Sequence, residues 1–251
     1  MYNDWLTIGN FTIHGYGVMI ALGFISALLI SYHRAKVNDM KPDAILDLAL
    51  WCVISGFVGA KGLYLIVEWK SFIANPIHFI SGSGFVVYGG IVTGILVGLG
   101  YCKVKKINFF EYLNLIVPQI ALAQGIGRFG CFFAGCCYGA PTESFLGIVF
   151  PEGSIAPAGV KLWPTQLIMA FGDLAIAGVL LLLWKNEKLR KFTGESYMLL
   201  YGIGRFLIEF LRNDNRGSVG ALSTSQFISI FIVALAIILI SVRLFWQKKK
   251  G

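Results

Sequence analysis

Apolar residues arrive along this chain in runs of roughly twenty, long enough to cross about 30 Å of hydrocarbon as a helix. Short stretches between the runs hold most of the charge. The runs predict helices over residues 13–33, 43–68, 79–101, 109–126, 160–184, 194–212 and 223–246. The expectation is an all-α, polytopic membrane protein of about seven transmembrane helices, with residues 1–251 forming a single integral membrane domain. No low-complexity segment and no internal repeat stands out, which argues mildly against a transporter built from duplicated halves.

Composition excludes the soluble alternative. With 57% hydrophobic and 14% charged residues and a mean hydropathy of +0.73, a water-soluble fold has too little polar surface to cover itself. Residues 1–10 carry neither a basic n-region nor a small-residue cleavage pattern, so the first span is expected to stay in place.

Charge then orients the spans. Fourteen of the 21 Lys and Arg fall in the segments 34–41, 103–106, 185–191 and 243–250, which are alternate loops and the C-terminal tail. By the positive-inside rule these face the cytoplasm, so the C-terminus is cytoplasmic and the N-terminus outside. The net charge of +8 follows from this basic rim beside anionic bilayer lipids, and no nucleic acid is needed to explain it. The longest connection, about 127–159, faces outward and suits a lid or docking surface.

Ionisable groups in or beside a span are expensive to keep there, which makes each a site candidate. Arg205, Glu209 and Arg212 recur at helical spacing and are expected on one face. Arg205 is read as a site residue ahead of a structural ion pair with Glu209. Arg212 stands equally as a site residue or as a side chain snorkelling to the headgroups. Around Arg128, glycines 125, 127, 130, 135 and 139 let backbone approach a ligand while the guanidinium offers a planar fork to phosphate oxygens. Gly90, Gly94 and Gly98 read as a packing seam. By position alone, Tyr16 and Tyr88 are interfacial belt tyrosines. Cys131, Cys136 and Cys137 share the glycine-rich segment, but no C-x-x-C pair and no neighbouring histidine accompanies them. They are read as small packing thiols, and no metal is assigned.

These segments resemble, in order, the motifs of the bacterial prolipoprotein diacylglyceryl transferases. His14-Gly-Tyr-Gly is similar to the family's R-W-Y-G, and Val58-Gly-Ala-Lys-Gly-Leu-Tyr64 to its G-A-R-L-x-Y. Tyr88-Gly-Gly-Ile-Val-Thr-Gly94 is similar to H-G-G-x-x-G. Gly127-Arg-Phe-Gly-Cys-Phe-Phe-Ala-Gly-Cys-Cys-Tyr-Gly139 resembles the signature G-R-x-G-N-F-x-N-G-x-x-x-G, and Pro164-Thr-Gln-Leu167 follows H-P-T-Q-L. The stretch from Tyr201 to Gly217 resembles Y-G-x-x-R-F-x-x-E-x-x-R-x-D-x-R-G, and Leu222-Ser-Thr-Ser-Gln226 the L-S-x-S-Q after it.

The resemblance implies a bacterial cell-membrane enzyme that moves the diacylglyceryl group of phosphatidylglycerol onto the lipobox cysteine of a preprolipoprotein. A thioether forms and glycerol phosphate is released. No metal or soluble cofactor is implied. Arg128 and Arg205 match the family's key arginines, and Tyr16 its N-terminal functional tyrosine. Gly139 closes the signature, and Glu209 and Arg212 continue the sixth motif as residues that steady Arg205.

Departures from the pattern open two alternatives. Tyr88 stands where the family has a histidine, and a neutral phenol with a reference pKa of about 10 is a poor base. Cys131 and Ala134 replace asparagines, Trp163 replaces a histidine, and Lys61 replaces an arginine, keeping the charge but losing the bidentate fork. A diverged relative that binds lipid or modifies another substrate is one alternative, and an anion or lipid transporter the other. The three histidines, His14, His33 and His78, are isolated, though His14 is kept as a candidate because a base is missing elsewhere.

Overall fold

The computed structural model describes residues 3–9, 11–82, 84–214 and 217–250. Arg216, the last arginine of the sixth motif, lies outside them. In chain order the elements are β1 (Asp4–Ile8), β2 (Phe11–His14), α1 (Gly15–Val37), α2 (Asp43–Val67), α3 (Trp69–Ala74), α4 (Pro76–Ser81), α5 (Val87–Val104), α6 (Phe109–Ala134), β3 (Ile148–Val149), β4 (Lys161–Leu162), α7 (Thr165–Lys185), α8 (Glu187–Arg190), α9 (Thr193–Ile208), β5 (Ser218–Val219), β6 (Leu222–Ser223) and α10 (Thr224–Lys250). Antiparallel pairs β1–β2, β3–β4 and β5–β6 form three small two-stranded sheets, the first ahead of α1 and the others between helices.

All seven expected helices form, as α1, α2, α5, α6, α7, α9 and α10. Six of them are long and apolar enough to cross a membrane, which makes the chain a multi-pass all-α membrane protein. The seventh, α9, has sixteen residues.

Three boundaries depart from expectation. The third span begins at Val87 rather than 79, because Pro76–Ser81 forms its own helix, with Pro at its start and Asn75 accepting from the His78 N–H. The fourth runs to Ala134 rather than 126, so the glycine-rich segment around Arg128 is helix and not loop. Its glycines are tolerated because neighbours pack close: a Cβ on Gly130 would lie 3.0 Å from the Tyr16 carbonyl oxygen, and one on Gly125 3.0 Å from that of Ala170. Tertiary contact here overrides weak helix propensity. The sixth span ends at Ile208, followed by a 3₁₀ turn over Glu209–Leu211 and an extended Arg212 at φ −85°, ψ 148°. Arg212 is therefore not on a common α-helical face with Arg205 and Glu209, as the spacing predicts.

The chain divides into two compact units, residues 31–112 and residues 1–30 with 113–251. In the first, α2 and α5 lie backbone to backbone along the expected glycine seam. A Cβ on Gly90 would come 2.8 Å from the Gly56 carbonyl oxygen. Thr93 Oγ1 donates to the Ser55 carbonyl at 2.9 Å and Cys52 Sγ to that of Gly94 at 3.4 Å. Such small-residue contact is how helices associate where lipid removes the hydrophobic drive.

In the second unit, Val117 and Ala121 of α6 pack on Ala177 and Leu180 of α7, with Tyr197 of α9 against them. Tyr197 also donates its hydroxyl to Gln124 of α6 at 2.7 Å. At one end of α9 and α10, Arg243 pairs with buried Glu195 at 2.8 Å. Between α6 and α7 the chain forms a small folded segment whose core is Phe150, Ala156 and Leu162 against Phe132 and Tyr138.

Candidate functional site

The site is built around the C-terminal end of α6. Gly135, at φ +73°, ends the helix. Its N–H donates to the Phe132 carbonyl at 3.2 Å, and the Cys136 N–H donates to that of Cys131, also at 3.2 Å. This is a Schellman cap, a left-handed residue glycine adopts without strain, and it lays the side chain two residues past the helix end against one in the last turn. Cys131 and Cys136 are therefore neighbours although five residues apart. Cys137, itself at φ +61°, turns its thiol to the same place, so that the three sulfurs lie within 4.8 Å of one another. All three are half-buried and none is in a disulfide. They converge on each other instead of filling separate gaps, as packing thiols would.

The next motif holds this turn in place. Thr165 Oγ1 donates to the Cys137 carbonyl at 2.6 Å and Gln166 Nε2 to that of Cys136 at 2.7 Å. Both side chains are fully buried at the start of α7. The Cys137 thiol is held well below the usual thiol range, first by hydrogen bonds from the Cys131 and Cys136 thiols and then by the Arg212 and Arg128 charges.

Arg128 lies in α6 one turn before Cys131, and among the described residues it makes no ion pair and no hydrogen bond. The charge of Asp173 and the Tyr201 hydroxyl act on it electrostatically. A half-buried guanidinium near the end of a span with its five donors unspent is a ready anion site.

Arg205 is arranged differently. Its Nη1 pairs with Glu209 at 2.6 Å, and its Nη2 donates to Ser225 Oγ of α10 at 2.7 Å. Arg212 grips Asp214 through Nε and Nη2 at 3.0 and 2.8 Å, with its side chain only 4% exposed. Its backbone bridges that of Gly139. Gly139 is required there: a Cβ would lie 2.6 Å from Trp163 Cβ and 2.7 Å from the Leu211 carbonyl oxygen. The neighbouring Ala140 N–H donates to that Leu211 carbonyl at 2.8 Å. Gly139 thus joins the segment after α6 to the one after α9. Ile203, Phe206 and Leu207 of α9 with Ile230, Val233 and Ile237 of α10 line an apolar cleft of about 380 Å³.

Tyr16 opens α1, where Asn3 accepts from the Gly15 and Tyr16 N–H groups. The phenol, 41% exposed, is within electrostatic range of Arg128 and the three thiols. Tyr88 sits in the first turn of α5 and Lys61 in α2, both in the other unit. Lys61 Nζ donates to the Gly82 and Gly84 carbonyls at 2.7 and 3.3 Å and lies over the Tyr64 and Phe85 rings. His14 pairs with Asp4 at 2.6 Å on the exposed hairpin.

Asp173 is a residue the motif reading passes over. It is buried in α7, feels the charges of both Arg128 and Arg205, and its Oδ2 has no hydrogen-bond partner among the described residues. Its signal was present, because it is the one acid within the apolar run 165–184 and intramembrane acids are as conspicuous as arginines.

Comparison with known proteins gives the same picture along the whole chain. Residues 4–242 match the family described as prolipoprotein diacylglyceryl transferase. Phosphatidylglycerol–prolipoprotein diacylglyceryl transferase 2 of Clostridium perfringens (strain 13) is 49% identical over 245 residues, covering 95% of this chain and 93% of its own. The transferase of Clostridium tetani (strain Massachusetts) is 43% identical over 233 residues, covering 92% and 93%. Transferase 1 of Clostridium perfringens is 33% identical over 254 residues, covering 98% and 96%. The motifs, the seven helices and these relatives agree: the chain belongs to the prolipoprotein diacylglyceryl transferase family.

Proposed function

We propose that this chain transfers the diacylglyceryl group of phosphatidylglycerol to the lipobox cysteine of preprolipoproteins, at the outer face of the bacterial cell membrane. The observation that carries the reading is the Arg128 guanidinium near the end of α6, which has no hydrogen-bond or ion-pair partner among the described residues. In the reaction the cysteine sulfur forms a bond to the glycerol carbon that bears phosphate. The C–O bond breaks with its electron pair leaving on the phosphate oxygen, and the thiol gives up its proton. Charge builds on the departing phosphate, where a preorganised guanidinium lowers the barrier. Arg128 supplies unspent donors for that oxygen. Arg205, with Nη1 and Nη2 committed to Glu209 and Ser225, supplies a fixed positive charge, and the apolar cleft beside α9 and α10 suits an acyl chain. Tyr16 orients substrate through its hydroxyl, and neither it nor Tyr88 serves as the base, since a neutral phenol is a poor proton acceptor near pH 7. Gly139, Arg212 and Asp214 hold the segment that carries the signature. The positive charge of the alternate loops supports a cytoplasmic C-terminus and an external thiol-bearing turn.

The test is conversion of a lipobox peptide by purified protein supplied with phosphatidylglycerol, read as peptide mass gain and released glycerol phosphate. Wild type is expected to turn over, Arg128→Ala to lose nearly all activity and Tyr88→Phe to keep most of it. A folded wild type that forms no thioether with any phospholipid offered would overturn the reading in favour of a relative with altered chemistry.

A further inference from the structure

We propose that Cys131, Cys136 and Cys137 together bind one soft divalent cation of the zinc–cadmium class through three thiolates. The inference concerns a property of the cap of α6 and stands apart from the transfer reaction. Its basis is geometric: the Schellman turn and the left-handed Cys137 bring three sulfurs within 4.8 Å of one another. Zinc–sulfur bonds of about 2.3 Å place tetrahedral sulfurs about 3.8 Å apart, so side-chain rotation alone closes a gap of at most about 1 Å.

Four further features favour a metal over chance proximity. The thiols are free and half-buried, hence reachable by an ion yet shielded from water. Their backbone is fixed beforehand by Thr165 and Gln166, so little ordering is left to oppose binding. The guanidiniums of Arg128 and Arg212 act on Cys137 and offset the net negative charge that three thiolates and a divalent ion leave behind. Finally, the Gln166 side chain that donates to the Cys136 carbonyl leaves its own buried Oε1 without a partner among the described residues. Sites with three protein ligands leave a fourth position open to water, and that oxygen is an unspent acceptor on the side chain bonded to the turn.

Binding forms three metal–sulfur bonds and releases to solvent the proton of each ligand that is still a thiol, with no change of oxidation state. A search by C-x-x-C spacing misses the site, because its first two ligands are five residues apart and meet only through the cap.

Cadmium is the probe. Reduced full-length protein in detergent, titrated with Cd²⁺, is expected to develop a thiolate-to-cadmium charge-transfer band in the near ultraviolet that saturates at one equivalent and disappears with excess chelator. Cys131→Ser and Cys137→Ser should each weaken binding by more than about 100-fold, the upper end for losing a group that only orients a ligand, whereas Cys52→Ser should leave the band intact. A second measurement needs no variant: Cd²⁺ should protect Cys131, Cys136 and Cys137 of the wild type from alkylation while Cys52 labels as before. A band that saturates elsewhere than one equivalent, survives in the Cys131→Ser/Cys137→Ser double variant, or comes without protection of these three thiols overturns the proposal.

Discussion

The two arginines that the motifs single out sit at the ends of two helices, and the ends are built on opposite plans. At the end of α6 a Schellman cap closes the helix cleanly and leaves Arg128 with no protein partner among the described residues. At the end of α9 the helix tightens into a 3₁₀ turn, Arg205 is bound to Glu209 and Ser225, and Arg212 is bound to Asp214. A guanidinium already satisfied by protein provides charge and shape. One left unsatisfied in an apolar setting provides binding. The molecule has one of each, and under the proposed function the contrast implies that the two arginines are unequal in the way they fail.

The sharpest test is Arg128→Ala, expected to lower kcat/KM for phosphatidylglycerol by about 10²–10³-fold, the usual cost of losing one preorganised donor to a developing oxyanion. Arg128→Lys should recover little of it, because lysine keeps the charge without the fork. Loss of less than threefold in Arg128→Ala would end the distinction between the two helix ends. Next comes Glu209→Gln, which frees Arg205 from its anchor and is expected to cost about tenfold in kcat/KM, or about 1.4 kcal/mol of transition-state stabilisation. Adding this change to Arg128→Ala should give less than the product of the two effects, since groups acting on one phosphate couple. Asp173→Asn removes a negative charge that acts on both arginines and is expected to lower KM about threefold, because a neutral neighbour repels the phosphate less. A raised KM would instead make Asp173 an anchor for Arg128. The smallest effect belongs to Asp214→Asn: activity within about twofold, with thermal denaturation showing a loss of about 1 kcal/mol from the weakened Arg212 contacts.

Much of this was legible beforehand because lipid imposes a coarse rule. Seven apolar runs gave seven helices, and the Gly90 seam packed as its spacing suggests. The boundaries that moved are those where local preference and tertiary contact disagree. Glycines 125 to 130 weaken a helix in isolation, yet they are what allow α1 and α7 to approach α6 closely, and this extends the helix through Arg128. Arg212 left its helical face because the chain after Ile208 bonds to the segment around Gly139, a pairing between residues some seventy positions apart that no local period encodes. The thiol cluster stayed hidden for a related reason: a cap joins residues across a reversal, while motif spacing assumes that ligands lie one turn apart.

The pinned turn after α6 carries one further consequence. An enzyme that alkylates cysteine, and that keeps two of its own clustered thiols, Cys131 and Cys137, within electrostatic range of Arg128, risks being its own substrate. A thioether does not hydrolyse readily, so one such event would end a molecule's working life. Displacement at carbon requires sulfur, carbon and departing oxygen to fall on one line. A sulfur whose main chain is fastened through the Cys136 and Cys137 carbonyls is poorly placed to search for that line, whereas a mobile incoming peptide can. In the proposed reaction, the clamp from Thr165 and Gln166 keeps these nucleophiles off that line by fixing their main chain.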